Sequence, residues 1–384
     1  MGGPARVLIL LGTRPEAIKL APVARALRAR REAVDVRVVS TGQHDALLDS
    51  ALASLELTPD DDLGIMRPDQ DLYDIGVACL QGLRSLLRSL EPDVVVVEGD
   101  TATVFFGALA GFFERVQVAH VEAGLRSGNK WAPFPEEIFR RLTDTVTDHY
   151  FAPTARARAN LVAEGVAEGR ISVTGNTVID AVRALAGSGA PVSDSALREI
   201  LDSGRRIVLV TAHRREAFGA PLREAFGALR TLAESHPEDL FVYPVHPNPN
   251  VQGAAQELLS GTPNFRLLEP LAYSDLVHVL ARAWLVLTDS GGIQEEAPSF
   301  GVPVLVLREV TERPEGVEAG VARLVGTSRE RILEQGGELL DDREAHSRMA
   351  QAKNPYGDGR AGERIADILV HRLLDVPRQT EDWH

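Results

Sequence analysis

The stretch LVLTDSGGIQEEAPSFGVPVLVL, Leu285–Leu307, decides the fold. An apolar run, Trp284–Thr288, leads into Ser290-Gly291-Gly292; a helix is predicted over Gly292–Ser299, and a second apolar run spans Val302–Leu307. Two apolar runs joined through a helix read as parallel strands with a crossover. Small residues at the turn let backbone N–H groups approach a diphosphate at the helix N-terminus. Glu295 and Glu296 lie one turn in. Glu296 is expected to accept hydroxyl hydrogen bonds from a ribose, Glu295 to occupy a solvated face, and Arg313 to reach the phosphates.

The same grammar extends in both directions. Strands are predicted at Arg6–Leu11, Val34–Ser40, Asp93–Val97 and Val116–Val121, with helices over Glu16–Arg30, Gln43–Leu55, Leu72–Leu90 and Thr101–Phe113. The pattern restarts after Ile171–Gly175, with strands at Arg206–Thr211 and Leu240–Pro244 and helices over Leu222–Ser235 and Tyr273–Ala281. Helices at Ser328–Leu340, Arg343–Ala352 and Gly362–Leu374 close the chain. Continuous β-branched runs alternating with helices indicate parallel sheets covered on both faces. The fold class expected is α/β, two Rossmann-like, doubly wound domains. The first covers residues 1–174, completed by the C-terminal helix 361–384; the second covers 175–360. Ligands in such sheets bind beyond the carboxyl ends of the strands.

The 384 residues carry a formal charge of -14, a poor match for nucleic acid or an anionic membrane surface. The single cysteine, Cys79, permits no internal disulfide, and no run reaches the roughly 18–20 apolar residues of a membrane helix. A cytoplasmic, soluble protein is expected. Only Lys19, Lys130 and Lys353 are lysines in a chain that otherwise uses arginine.

Several post-strand loops carry chemistry. Gly12-Thr-Arg-Pro-Glu16 has capping-box spacing, and Arg14 and Lys19 put positive charge beside a helix start. Glu98-Gly-Asp100 ends one strand and Glu122 ends the next. Asp100 reads either as a helix N-cap or as a cleft acid. Val121–Glu137 adds Glu136 and Glu137, of which Glu137 is expected to be structural support. His213 stands beside Arg214 and Arg215, a plausible phosphate site, and His246 occupies another post-strand loop. HExxH, CxxC, GxxxxGK[ST] and GxSxG are all missing. Gly357–Gly362 spells GxGxxG but follows a helix, so it is no dinucleotide fingerprint.

Taken in order, GTRPEAIKLAP, GDTATV, HVEAGLRSGNKWAPFPEE, TGNTVIDA, AHRRE, YPVHPNPN, LTDSGGIQEEAPSFGVPVLVLREVTERPEGVEAG and NPYGDG resemble the bacterial non-hydrolysing UDP-N-acetylglucosamine 2-epimerases. The resemblance runs from about residue 6 to 370. It implies the glycosyltransferase-B fold and a homodimer acting in envelope polysaccharide biosynthesis. It implies reversible conversion of UDP-GlcNAc and UDP-ManNAc through a 2-acetamidoglucal, with no metal or redox cofactor. By motif position Asp100, Glu122, Glu136 and His213 carry over as catalytic groups. Arg14, Lys19, Leu271, Leu276, Ser290, Gly291, Gly292, Glu296 and Arg313 carry over as UDP-sugar ligands.

This chain also departs from the family. Glu98 stands where histidine is usual, Ala102 where threonine is, Phe139 where asparagine is, and Leu276 where an aromatic is common. The last two leave room for a modified UDP-sugar. Family members often bind a second UDP-GlcNAc as activator, here near Gln43, His44, Arg214 and His246. At two further positions there, Ala46 and Asp69 replace the usual glutamine and arginine, so weakened or absent activation is expected. A hydrolysing relative, a transferase of the same fold and a non-catalytic UDP-sugar sensor are the competing readings.

Overall fold

The computed structural model describes residues 3–42, 46–65, 67, 70–189, 191–214 and 217–384, with Ala46 and Leu47 described for backbone only. The chain forms two compact units, residues 1–181 with 356–384 and residues 182–355.

In the first unit the strands are β1 (Ala5–Leu11), β2 (Val34–Ser40), β3 (Asp61–Asp62), β4 (Val94–Glu98), β5 (Gln117–Val121), β6 (His149–Ala152) and β7 (Ile171–Val173). They pair in the order β3-β2-β1-β4-β5-β6-β7, and every described pairing is parallel. Helices α1 (Arg14–Arg28), α2 (Ala46–Ser54), α3 (Leu72–Leu90), α4 (Ala102–Phe113), α5 (Glu136–Val146), α6 (Ala155–Ala163) and α7 (Thr177–Gly187) follow in turn. Val95 and Val97 of β4 pack with Leu8, Leu10, Leu83 and Val104 on one face. Val94 and Val96 are buried on the other, so β4 reads as an unbroken apolar run.

The chain leaves this unit within α7, at 181/182, and returns at 355/356, whereas the alternation of strands and helices in the sequence predicts boundaries at 174/175 and 360/361. The returning C-terminal helix, Ala361–Leu374, packs on α1 at Pro22, which lies inside that helix. Its first N–H groups donate to Asp180, Gly362 at 2.8 Å and Ala361 at 3.1 Å. A Cβ at Gly362 would sit 2.8 Å from the Pro22 carbonyl carbon and oxygen. Backbone cannot yield as a side-chain tip can, so Gly362→Ala is expected to lower stability by about 1–3 kcal/mol, read as a reduced urea midpoint.

The second unit has β8 (Ile207–Thr211), β9 (Leu240–Pro244), β10 (Phe265–Leu268), β11 (Ala283–Thr288), β12 (Val304–Val306) and β13 (Ala322–Leu324), ordered β10-β9-β8-β11-β12-β13. Its helices are α8 (Ser195–Asp202), α9 (Ala220–Ser235), α10 (Pro249–Leu259), α11 (Tyr273–Leu280), α12 (Gly291–Glu296), α13 (Pro314–Glu318), α14 (Arg329–Asp341) and α15 (Arg343–Ala350). Alternate residues of each strand enter opposite cores: Val208, Phe241 and Leu285 join α9 and α14, whereas Leu209, Val242 and Val286 join α8 and α11. The helix expected over Gly292–Ser299 is shorter. It gives way to a 3₁₀ turn, Ala297–Phe300, where Pro298 has no N–H to donate to Gln294. Among the described residues no helix is long and apolar enough to cross a membrane.

The two sheets share a topological consequence. Strand order reverses direction between β1 and β4 in the first unit and between β8 and β11 in the second. The crevice beyond the carboxyl ends of such strands is where doubly wound sheets bind ligands.

Candidate functional site

In the first unit the switch point is crowded with acids. Glu122 directly follows β5 and holds a left-handed backbone, φ 67°. Its Oε2 accepts from Lys19 Nζ at 2.5 Å and from Asn176 Nδ2 at 2.9 Å. The same ammonium lies 3.1 Å from Glu98 Oε1 at the end of β4. Burial pushes the Glu98 carboxyl well above the usual carboxylate range; Lys19 opposes this, while Glu122 and Glu16 add to it.

Glu16 is buried and accepts from the Gly12 N–H at 2.5 Å, the Thr13 hydroxyl at 2.9 Å and the Thr101 hydroxyl at 2.7 Å. Burial nonetheless raises its pKa against those bonds. The expected capping box therefore does not form: Thr13 donates to Glu16 and caps nothing with its side chain.

Glu98 supplies a stability test. Its folded pKa is raised, so its contribution is fully present below the unfolded value, about 4.5, and is lost as pH rises through the folded one. In Glu98→Gln the amide oxygen can still accept from Lys19, which keeps Glu122 as its counter-ion. The variant is expected to gain about 1–2 kcal/mol over wild type at pH 7.5 and little at pH 4, by urea unfolding.

Asp100 is not the N-cap of α4. Thr101 fills that place, its hydroxyl accepting from Val104 N–H at 3.4 Å. Asp100 instead pairs with Arg140 of α5. Glu136 opens α5, partly exposed, its carboxylate without a hydrogen bond or ion pair among the described residues. Glu137 is buried and accepts from Ser127 N–H at 2.9 Å and Gly128 N–H at 3.2 Å, which ties the preceding loop to α5. Arg14 opens α1 partly exposed, likewise with no such partner among the described residues.

Phe139, one turn along α5, is buried. Its ring stacks on Phe105 at 5.2 Å and meets Phe106 edge-on at 6.0 Å. Its ring is taken up in packing α5 on α4.

In the second unit Asp289 directly follows β11 and organises the loop after β8. Its carboxylate accepts from the His213 N–H at 2.6 Å and the Arg214 N–H at 2.8 Å, and lies 3.2 Å from His213 Nδ1. Burial opposes its charge, but His213 and these donors outweigh burial and hold its pKa below the usual carboxylate range. His213 stacks on His246, ring centroids 5.3 Å apart. Burial first, and then the charge of His213, lowers the His246 pKa.

Ser290 stands at the N-cap position of α12 without a side-chain cap, and its N–H donates to the Thr288 hydroxyl at 2.9 Å. Glu295 corrects the sequence reading. It is buried, not solvated, and pairs with Arg313. The α12 face it occupies is covered by the loop before α13, where Thr311 donates to Gln294 at 2.6 Å. Glu296 is buried too. Leu271 and Leu276 are partly buried against the α8/α11 core. Gly291 and Gly292 are not required by the fold. Neither has a positive φ, and a Cβ would meet only ordinary contacts, 3.8 Å to Arg313 and 3.5 Å to Glu296.

Of the activator positions, Gln43, His44 and Asp69 lie outside the described residues, as does the side chain of Ala46, and so does Arg215 beside His213.

Comparison with known proteins identifies the family. A family profile described as UDP-N-acetylglucosamine 2-epimerase matches residues 25–370. A Yersinia pestis protein named UDP-N-acetylglucosamine 2-epimerase is 47% identical over 376 residues, 97% of this chain and 100% of its own. The structure of UDP-GlcNAc 2-epimerase from Neisseria meningitidis bound to UDP-GlcNAc is 40% identical, with a TM-score of 0.86 over 97% of this chain and 100% of that one. An S. aureus protein solved as a co-structure with UDP is 40% identical, with a TM-score of 0.89 over 99% and 100%. The two-domain α/β fold read from the alternation of strands and helices is theirs. On sequence, fold and the full span of the match, the chain belongs to the UDP-N-acetylglucosamine 2-epimerase family.

Proposed function

We propose that this chain interconverts UDP-N-acetylglucosamine and UDP-N-acetylmannosamine without net hydrolysis. The observation that carries the reading is the Glu122 carboxylate, held by Lys19 and Asn176 at the switch point of the first unit. Removing the C2 proton sends the C2–H electron pair into a C1–C2 double bond, and the C1–O pair leaves with UDP. In return, a UDP oxygen attacks C1 and C2 takes a proton on its other face. Carboxylates suit a proton that is taken and given back. Asp100, Glu122 and Glu136 are the groups assigned to it.

The departing diphosphate needs donors fixed in advance. Ser290, Gly291, Gly292, Arg313, Arg14 and His213 are assigned to it, Glu296 to the ribose, and Leu271 and Leu276 to the base. Lys19 has two carboxylate partners, which adds a counter-ion's part to the ligand role expected of it. The reading includes a cytoplasmic homodimer.

Because Gly292 has room for a Cβ in the protein itself, a methyl there would intrude on the ligand. Gly292→Ala is expected to weaken UDP binding about 10-fold with stability changed by less than about 0.5 kcal/mol, by calorimetry and thermal melting.

The reaction itself is tested by ³¹P NMR of UDP-GlcNAc with the protein alone. A second sugar diphosphate with no net UDP supports it. Accumulating UDP and free N-acetylmannosamine would establish the hydrolysing reaction instead.

A further inference from the structure

His120 lies in β5, two residues before Glu122, and its ring is fully buried. Nε2 is 2.8 Å from the Gly99 carbonyl oxygen and Nδ1 is 2.7 Å from Asp144 Oδ1. Both partners are acceptors, so the ring is satisfied only by donating from both nitrogens.

Each bond reaches a segment with a proposed acid. Gly99 immediately precedes Asp100, has φ 84°, and its own N–H donates to the Val121 carbonyl at 3.1 Å. The turn bearing Asp100 is thus tied to β5 by its N–H and by its carbonyl. Asp144 belongs to α5, the helix that begins at Glu136 and carries Arg140 onto Asp100. Its second oxygen accepts from Gly124 N–H at 3.3 Å and Arg126 Nη2 at 2.7 Å, in the loop that leaves Glu122. One imidazole therefore joins the three segments bearing Asp100, Glu122 and Glu136. An apolar ring would fill the same space in the sheet without making either bond.

We propose that His120 is a positioning residue for the reaction: through Gly99 and Asp144 it fixes the mutual placement of the three acids around C2. The inference rests on the proposed epimerisation. A misplacement of about 1 Å far from the reacting atoms can lower a rate about 100-fold, and a rigid network is the means of avoiding it.

The test separates placement from folding and from binding. His120→Asn can still donate towards Asp144 and loses Gly99; His120→Gln can still donate towards Gly99 and loses Asp144. Each is expected to lower kcat about 10- to 100-fold, with KM for UDP-GlcNAc and Kd for UDP within about threefold. Should either variant fail to fold, Asp144→Asn keeps the imidazole in place and is read by the same criteria. Wild-type kcat in the folded variants overturns the inference. So does an equal loss of kcat and UDP affinity, which would mark a general structural role. A wild-type protein that leaves UDP-GlcNAc unchanged overturns the epimerase reading and this inference with it; an active wild type with unimpaired variants overturns the inference alone.

Discussion

Glu122→Gln is expected to lower kcat for epimerisation by about 10³-fold and to leave UDP binding unchanged. Gln has the shape of Glu and can accept from both Lys19 Nζ and Asn176 Nδ2, which lie 2.5 Å and 2.9 Å from Oε2. Its amide cannot take up and return a proton. Glu122 also holds φ 67°, an uncommon backbone for a non-glycine residue and one found at functional sites. Removing the whole side chain would be a poorer test, since it would take a carboxylate partner from Lys19 in a buried setting. Steady-state rates with a matched thermal melt decide it. A folded Glu122→Gln enzyme within about tenfold of wild type would remove Glu122 from the proton step.

Phe139→Asn, which restores the residue expected from the family resemblance, is predicted to lower stability by about 3–5 kcal/mol. The ring is buried and contacts both Phe105 and Phe106. Asparagine would leave a void beside them and bring an amide into an apolar layer. Because the side chain is taken up between α5 and α4, the surviving folded protein should keep the wild-type preference among UDP-sugars. Urea unfolding and a small substrate panel check the two halves of the prediction. A loss below about 1 kcal/mol, or new activity on a modified UDP-sugar, would show that Phe139 works at the site and not in the core.

The division between what sequence reveals and what it hides follows from the physics of each element. β4 and β11 are legible because strands buried on both faces must be apolar throughout. β6, β10 and β13 escape because they are only 4, 4 and 3 residues long. β3 has two residues, both aspartate. Helix α5 escapes for another reason: EEIFRRLTDTV is mostly polar and follows two prolines, and its buried residues include Glu137, Thr143 and Asp144 beside Phe139.

The candidate acids are legible because each lies just past a strand or opens a helix. Their pairings are not, because Lys19 meets Glu122 across 103 positions of chain and His120 meets Asp144 across 24. Glu295 shows the same limit. Adjacent acids on a short helix give no sequence signal for which one an arginine 18 residues later will cover. His120 could have been suspected from its place among the apolar residues Val118, Ala119 and Val121 of β5, since a buried polar residue needs partners.

The central claim is that this chain exchanges the C2 proton of a UDP-sugar and rebuilds the C1–O bond. The most direct measurement is ¹H NMR of UDP-GlcNAc incubated with the protein in D₂O, without acceptor or added nucleotide. The expected result is loss of the C2 proton signal to deuterium together with the appearance of UDP-ManNAc. UDP-ManNAc formed with C2 still protonated, or UDP-GlcNAc unchanged in both respects, would contradict it.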